Sequence, residues 1–207
     1  MEPMWRWAPA VCLAVFASVG VVWRSARQRR RTGSYGIALF RSNGVLSNVG
    51  DALLLLLGSA MGLLAALTAI DGALLDALGT PPAHVLVWLR PAGVFLMLVA
   101  TVIMVLSQLD LGDSWRIGID RGARPGLVTS GLYRWSRNPI FVSLGAAIAG
   151  FAMLVPCVLT AVLLVAAWTG IRLQVRHEEA YLLETYGDEY RAYASRVGRF
   201  LPGLGRI

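Results

Sequence analysis

The sequence has no lysine, only two cysteines and few charged residues of any kind. All 19 basic residues are arginine, and charged residues make up 15% of the 207-residue chain, against about 25% in an ordinary soluble domain. Cys12 and Cys157 each lie in an apolar run without a CxxC pair, so the sequence predicts neither a disulfide framework nor a metal site. The composition therefore indicates one integral membrane domain, 1–207.

The sequence also lacks the short motifs of common soluble enzymes. It contains no GxGxxG, no P-loop, no HExxH and no serine-nucleophile motif. Its net charge of +7 would suggest nucleic acid as a partner, but 17 of the 19 arginines fall in three polar segments, 24–41, 116–137 and 172–206. The positive-inside rule explains such clustering better, so we expect no nucleic-acid partner.

Apolar runs separate the arginine-rich segments. They cover 4–23, 48–70 and 91–109, and a fourth run, 139–173, is too long for one crossing of about 20 residues. Pro156 lies near the middle of this run, where proline interrupts a helix, and two helices folded as a hairpin are predicted. The predicted fold class is therefore all-α integral membrane, with about five transmembrane helices.

The arginine distribution also predicts the orientation. Because the arginine-rich segments belong in the cytoplasm, the N-terminus is expected outside and the C-terminus inside, with membrane lipids around the helices. The membrane is taken to be a bacterial inner membrane.

One stretch, 126–141, is polar, rich in glycine and aromatic at once. Arg137 and Asn138 stand directly before Pro139, which opens the fourth helix. Polar groups at the entrance of a membrane helix are costly to desolvate, so they usually have a ligand, a partner or water. Free N–H groups in the first turn of that helix can hold a carboxylate.

The hairpin brings a second polar segment, 172–190, back to the same membrane surface. It carries Arg172, Arg176, Glu178 and Glu179. Buried donors, an aromatic face and carboxylates together suit a ligand such as S-adenosylmethionine, whose sulfonium is attracted by carboxylates and aromatic rings. The alternative is that the two glutamates form only a solvated helix face.

A similar alternative interpretation exists for the aromatic side chains in the first stretch: Tyr133 and Trp135 could be interfacial anchors. From the residues alone, the prediction is a five-helix membrane protein with a polar site on its cytoplasmic side.

Several of these segments resemble one enzyme family. The stretches are Leu127-Val128-Thr129-Ser130-Gly131-Leu132-Tyr133, Arg137-x-Pro139, Glu178-Glu179, and Tyr186-Gly187-Asp188-Glu189-Tyr190 with Tyr193. Their order and spacing resemble the isoprenylcysteine carboxyl methyltransferase family, which is related to the phospholipid N-methyltransferases. The resemblance covers roughly 105–203, which divides the chain into N-terminal helices (1–104) and a methyltransferase-like half (105–207). Asn138 replaces the family histidine, and Phe141 replaces the family tyrosine.

The resemblance implies an S-adenosylmethionine-dependent methyltransferase acting on a lipophilic or lipidated acceptor, nominally the carboxylate of a prenylated cysteine. Alternative acceptors are a phospholipid or other amine and a thiol; alternative classes are a non-catalytic membrane protein and a nicotinamide-dependent reductase. Arg172 and Glu178 are the expected catalytic residues, with Arg176 and Glu179 as rivals. The expected cofactor-binding residues are Leu127, Val128, Tyr133, Arg137, Asn138, Pro139, Phe141, Arg176 and Glu179.

Overall fold

The computed structural model describes residues 3–37, 39, 45–71, 79–115, 117 and 126–206, and this part of the chain is helical without a named strand. Its helices are α1 (Pro3–Ala17), α2 (Arg24–Thr32), α3 (Val45–Ile70), α4 (Ala83–Leu111), α5 (Pro139–Leu154) and α6 (Val158–Ala194). A π-helical segment, Ser18–Trp23, joins α1 to α2. Four of the arginines behind the orientation argument (Arg41, Arg116, Arg121 and Arg124) lie outside the described residues.

The prediction of about five apolar helices is confirmed. Within the part of the chain that the structure describes, four helices are long and apolar enough to cross a membrane: Trp5–Thr32, Asn48–Ile70, Ala83–Ser114 and Val158–Ala194. The fifth, Pro139–Leu154, is apolar but has only 16 residues. Gly187 interrupts α6 with a non-helical backbone, but the part before it, residues 158–186, is already longer at about 1.5 Å per residue than an apolar layer of about 30 Å. The polar second half of α6 therefore continues beyond the apolar part of the bundle.

The hairpin between α5 and α6 forms at the predicted proline. Pro156 lies in the connection between Leu154 and Val158. Thr160 fixes the start of α6, since its hydroxyl accepts the Cys157 N–H at 3.1 Å and donates to the Val155 carbonyl at 2.6 Å. This turn sends α6 back along the bundle and carries its glutamates toward the motif stretch.

Two glycines allow α4 and α5 to pack backbone against backbone. A Cβ atom added at Gly93 would lie 2.7 Å from the Gly150 carbonyl oxygen, and one added at Gly150 would lie 2.8 Å from Met97 Cγ. Met97, Phe151 and Leu154 are buried around this contact. The close approach fixes α4 relative to α5, and so the end of α4 relative to the motif stretch.

Polar side chains tie the first helices to the rest of the bundle. Arg6 donates through Nε to the Ala69 carbonyl at 2.5 Å, so the start of α1 lies beside the end of α3. Farther along, the buried Gln108 amide of α4 donates to the Gly20 carbonyl at 2.7 Å. Gly20 belongs to the π-helical segment, where the regular helical bonding pattern is interrupted.

Candidate active site

The motif stretch folds into a short turn that lies on the end of α4. Gly131–Arg134 form a 3₁₀ turn, and the Leu132 N–H donates to Asp110 Oδ2 at 2.8 Å. Gly131 has a φ of +59°, and a Cβ atom there would lie 2.2 Å from the Asp110 carboxylate. Glycine is required at this position for two reasons, the left-handed backbone and the lack of space.

Tyr133 follows in this turn and is buried. Its carbonyl accepts a hydrogen bond from the Tyr193 hydroxyl of α6 at 2.6 Å. Burial, and next the negative charge of Glu178, raise the pKa of the Tyr133 hydroxyl well above its ordinary value. Tyr133 therefore stays uncharged at physiological pH, and it lies within electrostatic reach of Glu178.

Arg137 is buried, and all five of its N–H donors have partners within the protein. Its partners are Glu179 Oε1 (3.0 Å from Nε and 2.8 Å from Nη2) and the carbonyls of Ala194 (3.0 Å from Nη1), Val197 (2.6 Å from Nη1) and Gly205 (3.1 Å from Nη2). A guanidinium has only five N–H donors, so this arrangement leaves none for a ligand. Arg137 thus joins α6 and the C-terminal segment to the motif stretch.

Glu179 connects two arginines through its two oxygens. Oε1 accepts from Arg137, while Oε2 accepts from Arg199 at 2.9 Å (Nε) and 2.7 Å (Nη2). The bond to Glu179 is the main cause that raises the pKa of Arg199. Asn138 completes the group, because its Nδ2 lies 3.1 Å from the Arg199 carbonyl and 3.4 Å from Glu179 Oε1.

The C-terminal segment, 195–206, closes over this group. The Arg137 backbone N–H donates to the Gly198 carbonyl at 2.9 Å, and Ser136 pairs with Gly198 in an isolated bridge. A Cβ atom at Gly198 would lie 1.9 Å from the Leu201 carbonyl oxygen, so only glycine fits there. The segment is held to the motif through backbone bonds that glycine makes possible.

The structure brings together five of the predicted site residues. Tyr133, Arg137, Asn138, Pro139 and Glu179 are all buried at one end of the bundle. The other predicted cofactor residues are less enclosed: Leu127, Val128 and Phe141 are half-buried, and Leu127 packs beside Tyr190 and Tyr193.

The structure does not bring the predicted catalytic residues, Arg172 and Glu178, into this buried group. Arg172 and its rival Arg176 are exposed on α6, whereas Glu178 is half-buried and hydrogen-bonded to Gln174. Six residues correspond to about 240° around a helix of 3.6 residues per turn, so Arg172 and Glu178 lie on different faces of α6. The assignment of roles to these residues stays a prediction.

Three residues of the site were missed by the sequence reasoning. Asp110 holds the motif turn, Arg199 binds Glu179, and Asp51 of α3 is buried within electrostatic reach of Glu178. Acids at the ends of apolar helices were a usable signal for Asp51 and Asp110, and the usable signal for Arg199 was its place directly before Phe200-Leu201-Pro202. Within the described residues, no group of three or more His, Cys, Asp or Glu side chains is placed to hold a metal ion.

Comparison with known proteins gives concordant matches. The family model for phospholipid methyltransferases matches residues 88–189. The rat protein-S-isoprenylcysteine O-methyltransferase is 26% identical over 129 residues, which cover 59% of this chain and 44% of that protein. The same enzyme of Tribolium castaneum is 27% identical over 122 residues, covering 56% and 42% respectively.

The fold gives a third match. The solved structure of a eukaryotic intramembrane Ras methyltransferase, isoprenylcysteine carboxyl methyltransferase, superposes with a TM-score of 0.58 at 18% identity. The match covers 96% of this chain and 68% of that one. In sequence and in fold the chain is similar to membrane methyltransferases of the isoprenylcysteine carboxyl methyltransferase family.

Similarity to the isoprenylcysteine carboxyl methyltransferases confirms the resemblance seen in the motifs. The matched part spans less than half the length of the curated relatives. The family's members in these comparisons are methyltransferases, and the fold is common to them and to this chain. The phospholipid methyltransferase match begins in α4 and ends in α6, so it contains the motif turn, the hairpin and both glutamates.

Proposed function

We propose that the protein is an S-adenosylmethionine-dependent methyltransferase that acts within the membrane on a lipophilic acceptor. The observation that carries this proposal is the convergence of the motif turn and the α6 glutamates at one end of an apolar bundle. Glu179 is held there by Arg137 and Arg199, while Glu178 stays outside that group, near Tyr133. The arrangement supports a rigid wall for a cofactor beside one carboxylate that is available for chemistry.

The cofactor residues of the proposal follow from this division of roles. S-Adenosylmethionine supplies an electrophilic methyl group on a positively charged sulfur. Tyr133, Asn138 and Phe141, with Leu127, Val128 and Pro139, would line its site, and Glu178 would attract the sulfonium. Because Arg137 and Glu179 bind each other, we expect them to shape the site rather than to contact the cofactor, in contrast to the prediction from sequence.

The first candidate acceptor is the carboxylate of a prenylated cysteine, as the names of the curated relatives suggest. Its oxygen would attack the methyl carbon, the carbon–sulfur bond would break with its electrons left on sulfur, and an ester would form without proton transfer. Arg172 or Arg176 would orient this carboxylate from the exposed side of α6. The lipid chain would enter between helices, at the cytoplasmic side of a bacterial inner membrane.

A second candidate acceptor is a lipophilic amine, and one observation favours it. Glu178 lies within electrostatic reach of Asp51, which is only 4% exposed, and Gln174, its hydrogen-bond partner, has a buried Oε1 for which the described part of the chain provides no donor. A buried acceptor without a donor, such as Gln174 Oε1, costs free energy. An ammonium head group would supply both donors and positive charge, whereas a carboxylate would add a like charge.

Amine methylation also gives Glu178 a defined role. The ammonium would first lose a proton to the Glu178 carboxylate, and the nitrogen lone pair would then form the bond to the methyl carbon. The carbon–sulfur bond would break at the same time, leaving S-adenosylhomocysteine and a methylated amine. Methylation of an amine in this way requires a carboxylate near the acceptor but no arginine. This agrees with the exposed positions of Arg172 and Arg176.

Two measurements on the purified protein in detergent test the proposal. Calorimetry with S-adenosylmethionine and S-adenosylhomocysteine should detect binding, and absence of binding at millimolar ligand would overturn the methyltransferase assignment in favour of a non-catalytic protein. Radiolabelled methyl transfer to a farnesylated cysteine derivative and to a long-chain amine then distinguishes the two acceptors. Glu178→Gln should bind cofactor and lose turnover, while Glu184→Gln, an exposed acid on the same helix, should keep it.

A further inference from the structure

We propose that Asp110, at the end of α4, is a positioning residue for the cofactor wall. The inference rests on the proposed function, because it assigns to Asp110 the task of holding the motif turn in its cofactor-binding geometry. Asp110 lies outside the motif, 22 residues before Leu132, whose N–H its Oδ2 accepts at 2.8 Å. Asp110 would not touch the reacting atoms.

The contact is more than one hydrogen bond. The Asp110 carboxylate lies flat against Gly131, since a Cβ atom there would come within 2.2–2.3 Å of its Cγ and both oxygens. Carboxylate and turn are therefore packed and hydrogen-bonded together. A carboxylate that accepts a backbone N–H forms a charge-assisted bond, which is stronger than a neutral one.

The turn that follows Asp110 is held by α2. Gln28 donates to the Asp113 carbonyl at 2.8 Å, and Arg24 donates to the Gly112 carbonyl. Arg24 and Gln28 are buried, and the Arg24 guanidinium lies 4.7 Å from the centroid of the Trp115 ring. The turn after Asp110 thus has little freedom, so the carboxylate is presented from a rigid element.

The motif turn is consequently held from two sides. Asp110 binds it from α4, and the Tyr193 hydroxyl binds the Tyr133 carbonyl from α6. Without Asp110, only the α6 side would hold the segment that carries Tyr133. A loosened wall would lower cofactor affinity, while chemistry at saturating cofactor would change less.

Three variants test the inference: Asp110→Ala removes the acceptor, Asp110→Asn keeps an acceptor oxygen, and Asp113→Ala is the control. Asp113 is suitable because its carboxylate is exposed and forms its ion pair, within the described residues, with the exposed Arg31 at 3.5 Å. We expect Asp110→Ala to raise the dissociation constant and KM of S-adenosylmethionine about tenfold, with kcat within about threefold. Asp110→Asn should recover most of the affinity, and Asp113→Ala should match the wild type.

A merely structural role would lower thermal stability and leave the affinity of the folded protein unchanged, and that result overturns the inference. So does equal loss in Asp110→Ala and Asp110→Asn, because the acceptor oxygen would then not matter. If Asp110→Ala does not purify as folded protein, Asp110→Ser replaces it, since the shorter side chain removes the carboxylate from the turn but keeps a polar group at the end of α4.

Hydrogen exchange separates failure of this inference from failure of the proposed function. The amides of 130–135 should exchange faster in Asp110→Ala than in Asp113→Ala, whether or not a cofactor binds. Wild-type protein that binds no S-adenosylmethionine would refute the methyltransferase assignment, and with it the cofactor role of Asp110. Unchanged exchange in Asp110→Ala would refute the positioning itself.

Discussion

Arg137 Nη2 and Glu179 Oε1 lie 2.8 Å apart, with 1% and 7% of their side chains exposed. The Glu179 carboxylate also binds Arg199, so one buried negative charge faces two guanidinium groups. Backbone carbonyls from the C-terminal part of the chain accept the remaining Arg137 donors. The group is the structural centre of the candidate site, and its members depend on one another.

Glu179→Gln should destabilise the protein strongly. The change leaves two guanidinium groups without their counter-charge, and removal of one partner from a buried ion pair costs about 3–5 kcal/mol. Unfolding in detergent, followed by circular dichroism, measures the loss. Glu184→Gln on the same helix is exposed and should stay within about 0.5 kcal/mol of the wild type; equal effects of the two changes would contradict the structural role of Glu179.

Gly198→Ala should prevent the C-terminal segment from closing normally. The new Cβ atom would meet the Leu201 and Leu204 carbonyl oxygens at 1.9 and 2.7 Å, and backbone atoms have little room to move away. We expect a loss of about 3 kcal/mol, as for severe overpacking. Limited proteolysis of 195–206 reports the opening, and Gly126→Ala, where nothing lies within 4 Å, is the matched control.

Tyr133→Phe should weaken the dependence of stability on alkaline pH. Burial raises the pKa of Tyr133, so the folded protein keeps a proton that the unfolded chain releases above about pH 10. Unfolding is then favoured as pH rises above that value, because the folded state binds more protons. Unfolding midpoints between pH 8 and about 11 should fall less steeply in Tyr133→Phe. Tyr35→Phe, at an exposed position, should follow the wild type.

Asp51→Asn should shift the preference among acceptors. If the acceptor-rich surroundings of Glu178 bind an ammonium head group, loss of the Asp51 charge should lower kcat/KM for a long-chain amine about tenfold. A farnesylated cysteine carboxylate should be used no worse than before, since a like charge is removed. Competition assays with both acceptors measure the ratio. An unchanged ratio would argue against amine binding beside Asp51, and Asp188→Asn at an exposed site serves as control.

Much of the fold could be predicted because hydropathy marks the membrane helices and one proline marks the turn between two of them. The apolar runs fixed the helices in number, and Pro156 marked the hairpin. The contact between Gly93 and Gly150 could not be predicted, because residues on different helices share no spacing pattern. The continuation of α6 to Ala194 was also missed, since its second half is polar and carries no transmembrane signal.

The candidate site was only partly predictable for a related reason. The motifs singled out Arg137 and Glu179, but a motif names residues without naming their partners. Three of the Arg137 bonds go to backbone carbonyls, which have no signature in the sequence. The sequence therefore indicated cofactor contact for Arg137 and Glu179, whereas in the structure their donors and acceptors bind other groups of the protein.

The carbonyls that Arg137 binds have a consequence for how the protein matures. They belong to Ala194, Val197 and Gly205, which a ribosome adds long after the motif stretch. During synthesis the Arg137 side chain therefore lacks these three partners while the hairpin helices enter the lipid, and it stays hydrated or bound elsewhere. Insertion into the membrane and completion of the candidate site are separate events, and the second begins only when residues 194–205 have left the ribosomal exit tunnel.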